Sequence, residues 1–352
     1  MTELLSFLKA ILMIPGLSGH ETQVMRFLED RWSPSVDELS CSRLGSLHGL
    51  KNGSSPSPRP SMLLTAHMDA IGLIVTRIEQ GFLHIDAIGG VDPRVLPGQA
   101  VSVHGRRDLP GVIAMPPARL LPPGTGDGAI DLPHLLVDVG LPPADVANMV
   151  RVGDLVSFES DPVEMSGEFV SGRALDNRVS LAALTLCLEE LQDRTHTWDV
   201  WAVASVQEET SHAGAAASAF QLRPALAVTV DTTFAKGPGA DDWQTFELGQ
   251  GPTLGYGPNI HPALFHRFKE LAEDLEIPHA TEFMPTTSGT DGMAIQVTAE
   301  GIPNMVLSIP IRYIHTPVEM VAMSDIQRCG RLLAEFVASL EVDFLQDWTW
   351  DK

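Results

Sequence analysis

Basic residues are scarce and nowhere form a run. Lys and Arg number 23 against 45 Asp and Glu in 352 residues, a formal net charge of −22. That balance excludes a nucleic-acid binder whose affinity rests on basic patches meeting phosphates. Long apolar runs are also missing, and none reaches the ~20 residues of a membrane span. The stretch FLKAILMIPGL has the texture of a signal-peptide core, yet Glu3 precedes it, Lys9 interrupts it and no clean small-residue cleavage site follows, so it reads as a packed helix. Only three cysteines occur, Cys41, Cys187 and Cys329, far apart and without CxxC spacing. Their odd number and spacing argue against a disulfide framework or a thiolate zinc site and point to reduced thiols in the cytoplasm.

What is present is enough apolar residue, 44% of the chain, to bury a large core, with two domains of unequal size as the natural division. A helix from Thr2, a break at PGLSG and a second helix opening near His20, with Glu21 in its first turn, lead to a turn at KNGSSPSPRP and a short buried strand, SMLLTAHMDA. Between about Ala70 and Glu164 the texture changes to short β-like pieces separated by Gly and Pro, with only PPADVANMV helical. Beyond it, RVSLAALTLCLEELQ, TWDVWAVASV, GAAASAFQL and PALAVTVDT alternate helix and strand, the signature of an α/β fold. Further helices (PALFHRFKELAEDLE, MAIQVTAEG, DIQRCGRLLAEFVASL) and the strand PNMVLSIPI follow. The expected architecture is an α/β domain over residues 1–69 and 165–352, interrupted by a small β-rich domain over residues 70–164.

The ionisable residues of interest stand at one kind of place. His67 follows MLLTA, Glu208 and Glu209 follow VWAVASVQ, Asp231 follows LAVTV, and His315 follows VLSIPIRYI. In an open α/β sheet the carboxyl ends of the strands line the crevice where ligands bind, so these side chains can converge from distant parts of the chain. Adjacent carboxylates at the end of a buried strand repel and lose solvation, and something must compensate them. Asp176, before a helix in SGRALDNRVS, reads on its own as a first-turn acid satisfying free N–H groups. Taken with His67, Glu209, Asp231 and His315 it completes a set of imidazoles and carboxylates without thiolates, suited to zinc, cobalt or manganese. Within the Glu pair one residue can ligate while the other takes a proton from a metal-activated water. Asp69, two residues beyond His67, is placed to accept the other ring N–H of that histidine. The remaining histidines, His212 among them, read as surface or packing residues.

IPGLSGHE (14–21), AHMDAIG (66–72), GRALDNR (172–178), QEE (207–209), SGTDGMAI (288–295) and SIPIRYIHTPVEM (308–320) together resemble the M42 aminopeptidases, in that family's order and over nearly the whole chain. The resemblance implies a zinc-peptidase-like α/β/α sandwich with an inserted PDZ-like β module serving assembly. It implies a two-metal exopeptidase with zinc or cobalt most expected, acting on short peptides. His315, Glu209 and Asp176 would hold one metal and His67 and Asp231 the other, with Asp176 bridging, Glu208 as general base and Asp69 supporting His67. It also implies homo-oligomers, up to tetrahedral dodecamers. This sequence departs from the family pattern at Ala70, where an acid is usual, and at Ser211 and His212, where a Gly and an apolar residue are usual. M20 deacylases share the order of ligands but insert their second domain between later ones, whereas here the large gap lies between His67 and Asp176. A co-catalytic-metal deacylase for N-acyl amino acids is the alternative function, a non-catalytic assembly protein is disfavoured by the intact ligand set, and no aromatic platform supports an endoglucanase. Loops such as LLPPGTGDGAIDLPH are expected to shape the specificity pocket.

Overall fold

The computed structural model describes residues 2–117, 119, 131–346 and 348–349. Most of the loop LLPPGTGDGAIDLPH, at 120–130, lies outside the described residues. Helices α1 (Thr2–Met13) and α2 (Thr22–Trp32) precede strands β1 (Glu38–Cys41), β2 (Leu47–Lys51) and β3 (Ser61–His67). Next come β4 (Gly72–Glu79), β5 (Phe82–Ile88), β6 (Ala100–His104), β7 (Asp108–Ala114), β8 (Leu136–Asp138), α3 (Pro143–Met149) and β9 (Leu155–Phe158). The chain continues through β10 (Val163–Met165), β11 (Phe169–Gly172), α4 (Leu175–Glu190), β12 (Asp199–Ser205), α5 (Glu208–Ser211), α6 (Ala213–Leu222) and β13 (Leu226–Phe234). It ends with β14 (Thr253–Tyr256), α7 (Pro262–Asp274), β15 (Ala280–Phe283), α8 (Asp291–Gln296), β16 (Asn304–Arg312), β17 (Glu319–Ala322) and α9 (Met323–Ala338).

An eleven-stranded sheet runs β1-β2-β12-β3-β13-β16-β17-β11-β10, with β14 and β15 branching from β16. The pairings β12–β3, β3–β13 and β13–β16 are parallel, so their carboxyl ends share one edge. These strands are apolar without interruption because both faces are covered. Successive side chains leave opposite faces: Met62 and Leu64 join the larger core with α1, α2, α4, α7 and α9, while Leu63, Val203 and Ala227 meet α6 and α8 in a smaller one. The expected α/β/α sandwich is the result. Helix α4 is buried from Leu175 to Thr185, as befits a helix apolar all round and packed between the sheet and α9.

Strands β4 to β9 close into an antiparallel barrel in the order β4-β5-β8-β7-β6-β9. The barrel has its own core, including Leu73, Val75, Leu83, Val101, Ile113 and Val156. It is inserted directly after His67, and β10 and β11 then return the chain to the main sheet. Among the described residues no helix is long and apolar enough to cross a membrane.

Candidate active site

The shared carboxyl edge of the parallel strands gathers the predicted residues. His67 is the last residue of β3, and Asp231 lies on β13 opposite Ser308 of β16. After β12, Gln207 takes a left-handed backbone (φ 60°) that turns the chain into α5 and sends Glu208 and Glu209 over the edge. Asp176 sits at the start of α4 with extended backbone (ψ 106°). His315 is three residues past β16, also left-handed (φ 62°). Left-handed backbone costs a non-glycine residue energy, and its recurrence at Gln207 and His315 marks a place where surrounding contacts override local preference.

The geometry divides about Asp176. His67 Nε2 is 3.3 Å from Asp176 Oδ1 and 3.7 Å from Asp231 Oδ1. His315 Nε2 is 3.6 Å from Asp176 Oδ2 and 3.4 Å from Glu209 Oε2. Each oxygen of Asp176 therefore faces a different histidine. Glu208 Oε2 stands 3.8 Å from His67 Nε2. These separations exceed hydrogen-bond lengths, but they suit donors around a common ion: ligands at about 2.0–2.2 Å in a tetrahedron lie roughly 3.3–3.6 Å apart. Asp176 Oδ1 and Glu209 Oε1 are buried with no hydrogen-bond partner. Burial, with Asp176 next, lifts the Glu209 carboxyl well above its usual range, and burial raises Asp231 to about 7. Uncompensated buried charges cost several kcal/mol each, so the donor set fits divalent cations.

Three further carboxylates hold the backbone of this assembly. Asp69 accepts from Ser18 Oγ (2.6 Å) and from the N–H groups of Glu208 (3.0 Å) and Glu209 (3.2 Å). His67 Nδ1 lies 3.2 Å from the Asp69 carbonyl and 3.4 Å from its carboxylate. A carbonyl only accepts, so Nδ1 is the donor, which leaves Nε2 directed at Asp176 as the ring atom that would hold a cation. Glu319, fully buried, accepts from Asp176 N–H (3.0 Å) and His315 N–H (2.9 Å). Glu21 accepts from Gly19 N–H (2.7 Å) and Gln207 N–H (3.1 Å). It caps the turn before α2 instead of standing inside the helix. Glu21 and Glu319 escaped sequence reading because their partners are backbone groups from distant segments, and no side-chain spacing encodes that.

Burial pushes Glu21 up to about 7, against the backbone bonds that pull it down. In the unfolded chain a glutamate ionises near ~4.3. Between the two values the folded protein keeps a proton that the unfolded chain has lost, so this group's contribution to stability falls as pH rises and levels off above about 7. Glu21→Gln lacks that loss. Urea unfolding of the metal-free proteins should place the variant better, relative to wild type, at pH 8 than at pH 5. An equal difference at both pH values contradicts this.

An open cavity of about 530 Å³ adjoins the cluster, lined by His67, Asp176, Glu208, Glu209 and Asp231 and also by Phe234, Glu282, Ser288 and Thr290. The barrel reaches it through Gly90, where a Cβ would come within 2.6 Å of His315 Nδ1, so only glycine lets the loop approach this closely. His212, read from sequence as a surface or packing residue, lies in this cavity with Nδ1 3.0 Å from Glu208 Oε1. Its signal was the i, i+4 spacing from Glu208 on a short helix. Among the described residues two groups have ligand atoms within 4.8 Å of one another: His67, Asp176 and Glu209, and separately Glu208, His212 and Asp291.

Comparison with known proteins adds four findings. The sequence profile of the M42 glutamyl aminopeptidase family matches residues 45–332. The chain is 34% identical to a lysyl aminopeptidase of Pyrococcus furiosus, covering 96% of this chain and 98% of the relative. In structure it resembles a TET aminopeptidase from the marine sediment archaeon Thaumarchaeota archaeon SCGC AB-539-E09 (TM-score 0.93, 27% identity, 99% of both chains). It also resembles the TET1 peptidase of Pyrococcus horikoshii, which can assemble into a tetrahedron or a large octahedral shell (TM-score 0.83, 26% identity, 96% of this chain and 100% of that one).

Proposed function

The chain belongs to the M42 glutamyl aminopeptidase family, and on that premise we propose that it removes the N-terminal residue from short peptides at a two-cation centre. The observation that carries this reading is Asp176, whose two oxygens face His67 and His315 at 3.3 and 3.6 Å. His67 and Asp231 form one half of the centre and His315 and Glu209 the other, with Asp176 common to both. Zinc or cobalt suits this donor set best, and manganese is compatible. When bound, two such cations supply Lewis acidity and make water nucleophilic at neutral pH. Glu208 is the general base: it takes the proton from the attacking water and passes it to the departing amine. Asp69 fixes the backbone from which Glu208 and Glu209 project.

No Lys or Arg is among the described cavity-lining residues, whereas Glu282 is, with each carboxylate oxygen accepting a threonine hydroxyl, from Thr233 and Thr253, at 2.6 Å. Glu282, with no Lys or Arg in that lining to pair with it, favours a cationic or neutral first side chain over an acidic one, and the lysyl aminopeptidase relative supports that order. The TET1 relative, which can assemble into a tetrahedron or a large octahedral shell, supports a homo-oligomer, and the three unpaired cysteines support a cytoplasmic setting. The test is release of free amino acid by metal-reloaded protein from peptides beginning with Lys, Leu or Glu, each free or N-acetylated. Cleavage of free Lys and Leu peptides ahead of Glu, with acetylated ones intact, is expected. Cleavage of the acetylated set alone would overturn the aminopeptidase reading.

A further inference from the structure

His212 closes α5 and opens α6 with left-handed backbone (φ 55°). Its Nδ1 stands 3.0 Å from Glu208 Oε1 and 3.7 Å from Asp291 Oδ1. Neither approach is an aligned hydrogen bond, since Nδ1 and Asp291 Oδ1 both lack a partner in line. The ring is shared between two carboxylates. Asp291, 1% exposed at the start of α8, is anchored in turn by Ser205 Oγ, which donates to its other oxygen. The Asp291 and Glu208 carboxylates raise His212 to about 10, so the ring is a cation at neutral pH. Glu208 is thus gripped on Oε1, while Oε2 points to His67 Nε2 at 3.8 Å.

We infer that His212 is a positioning residue for Glu208: it holds Oε1 against the Asp291 side of the cavity, so that Oε2 faces the reaction centre and Glu208 stays out of cation coordination. The inference rests on the reading of Glu208 as general base. Its physical basis is competition. A mobile carboxylate beside divalent cations is drawn into their coordination and ceases to be a base, and a fixed cation on its other oxygen opposes that. The same three residues, Glu208, His212 and Asp291, form the second group of potential cation donors, and the experiment must separate the two roles.

Two variants do so. His212→Gly removes the ring and relaxes the left-handed backbone. His212→Asn keeps a donor at a position where asparagine tolerates that backbone. The inference predicts that His212→Gly binds two cations per chain, counted by metal analysis, and melts as a folded protein. Its kcat falls about 10–100-fold, the usual cost of losing a supporting partner, while KM changes less than twofold. His212→Asn, or added imidazole on the Gly variant, recovers most of the rate. On a Glu208→Gln background His212→Gly costs nothing further. The inference is overturned if His212→Gly retains full kcat, if it binds one cation fewer, which makes the ring a ligand, or if it costs as much on the Glu208→Gln background. Wild-type activity of Glu208→Gln by itself overturns the reading of Glu208 and is distinguishable from all of these.

Discussion

Glu208→Gln is expected to lower kcat by about 10²–10⁴-fold while leaving cation content and KM near wild type. The amide keeps the size and the backbone anchorage of the side chain, since it is the Glu208 N–H that donates to Asp69. What it loses is the capacity to accept a proton. Glu208 is also the member of the pair that does not face His315; Glu209 Oε2 does, at 3.4 Å. Exchange of Glu209 should therefore reduce cation affinity, and exchange of Glu208 should not. Steady-state kinetics alongside metal analysis of Glu208→Gln checks the claim, and a variant that has lost both rate and one cation would make Glu208 a ligand.

Asp176→Ala should abolish activity and cation binding together. Its two oxygens serve both halves of the centre, so no half is left intact when they go. The effect on stability has two signs. In the metal-free protein Asp176 is a like charge that raises the carboxyls of Glu209, Asp231 and Glu319, after the larger effect of burial. Its removal relieves repulsion, and metal-free Asp176→Ala should unfold no more easily than metal-free wild type. Each cation at a thousand times its Kd stabilises the folded wild type by about 4 kcal/mol. Melting curves with and without zinc should separate strongly for wild type and coincide for Asp176→Ala. A zinc-dependent rise in the variant would mean that the principal site lies elsewhere.

The convergence of the proposed ligands was legible because burial writes itself into composition. A parallel strand covered on both faces must be apolar throughout, as in SMLLTA before His67 and LAVTV before Asp231, and a charge that closes such a run has to face the crevice; β3 does end at His67, whereas β13 continues three residues past Asp231 to Phe234. The barrel insertion was legible as a change of texture, but its strand order, β4-β5-β8-β7-β6-β9, was not, since non-sequential pairing leaves no local trace. The supporting acids divide in the same way. Asp69 stands two residues from His67 and was found, though its bonds to the Glu208 and Glu209 N–H groups go beyond what spacing implies. Glu319, within HTPVEM, is singled out by no spacing in the sequence, yet it is buried and ties Asp176 to His315. His212 stood among the surface or packing residues because a lone histidine carries no pattern, and it is the packing of α8 against α6 that brings Asp291 to its other side.

The central claim is that two cations share Asp176, with Glu208 free. Anomalous diffraction from crystals of the zinc- or cobalt-loaded protein tests it most directly. The account predicts two anomalous peaks flanking the Asp176 carboxylate, one against His67 and Asp231 and the other against His315 and Glu209, with Glu208 turned to His212. A peak seated among Glu208, His212 and Asp291, or a single peak with Asp176 on one side only, would contradict it.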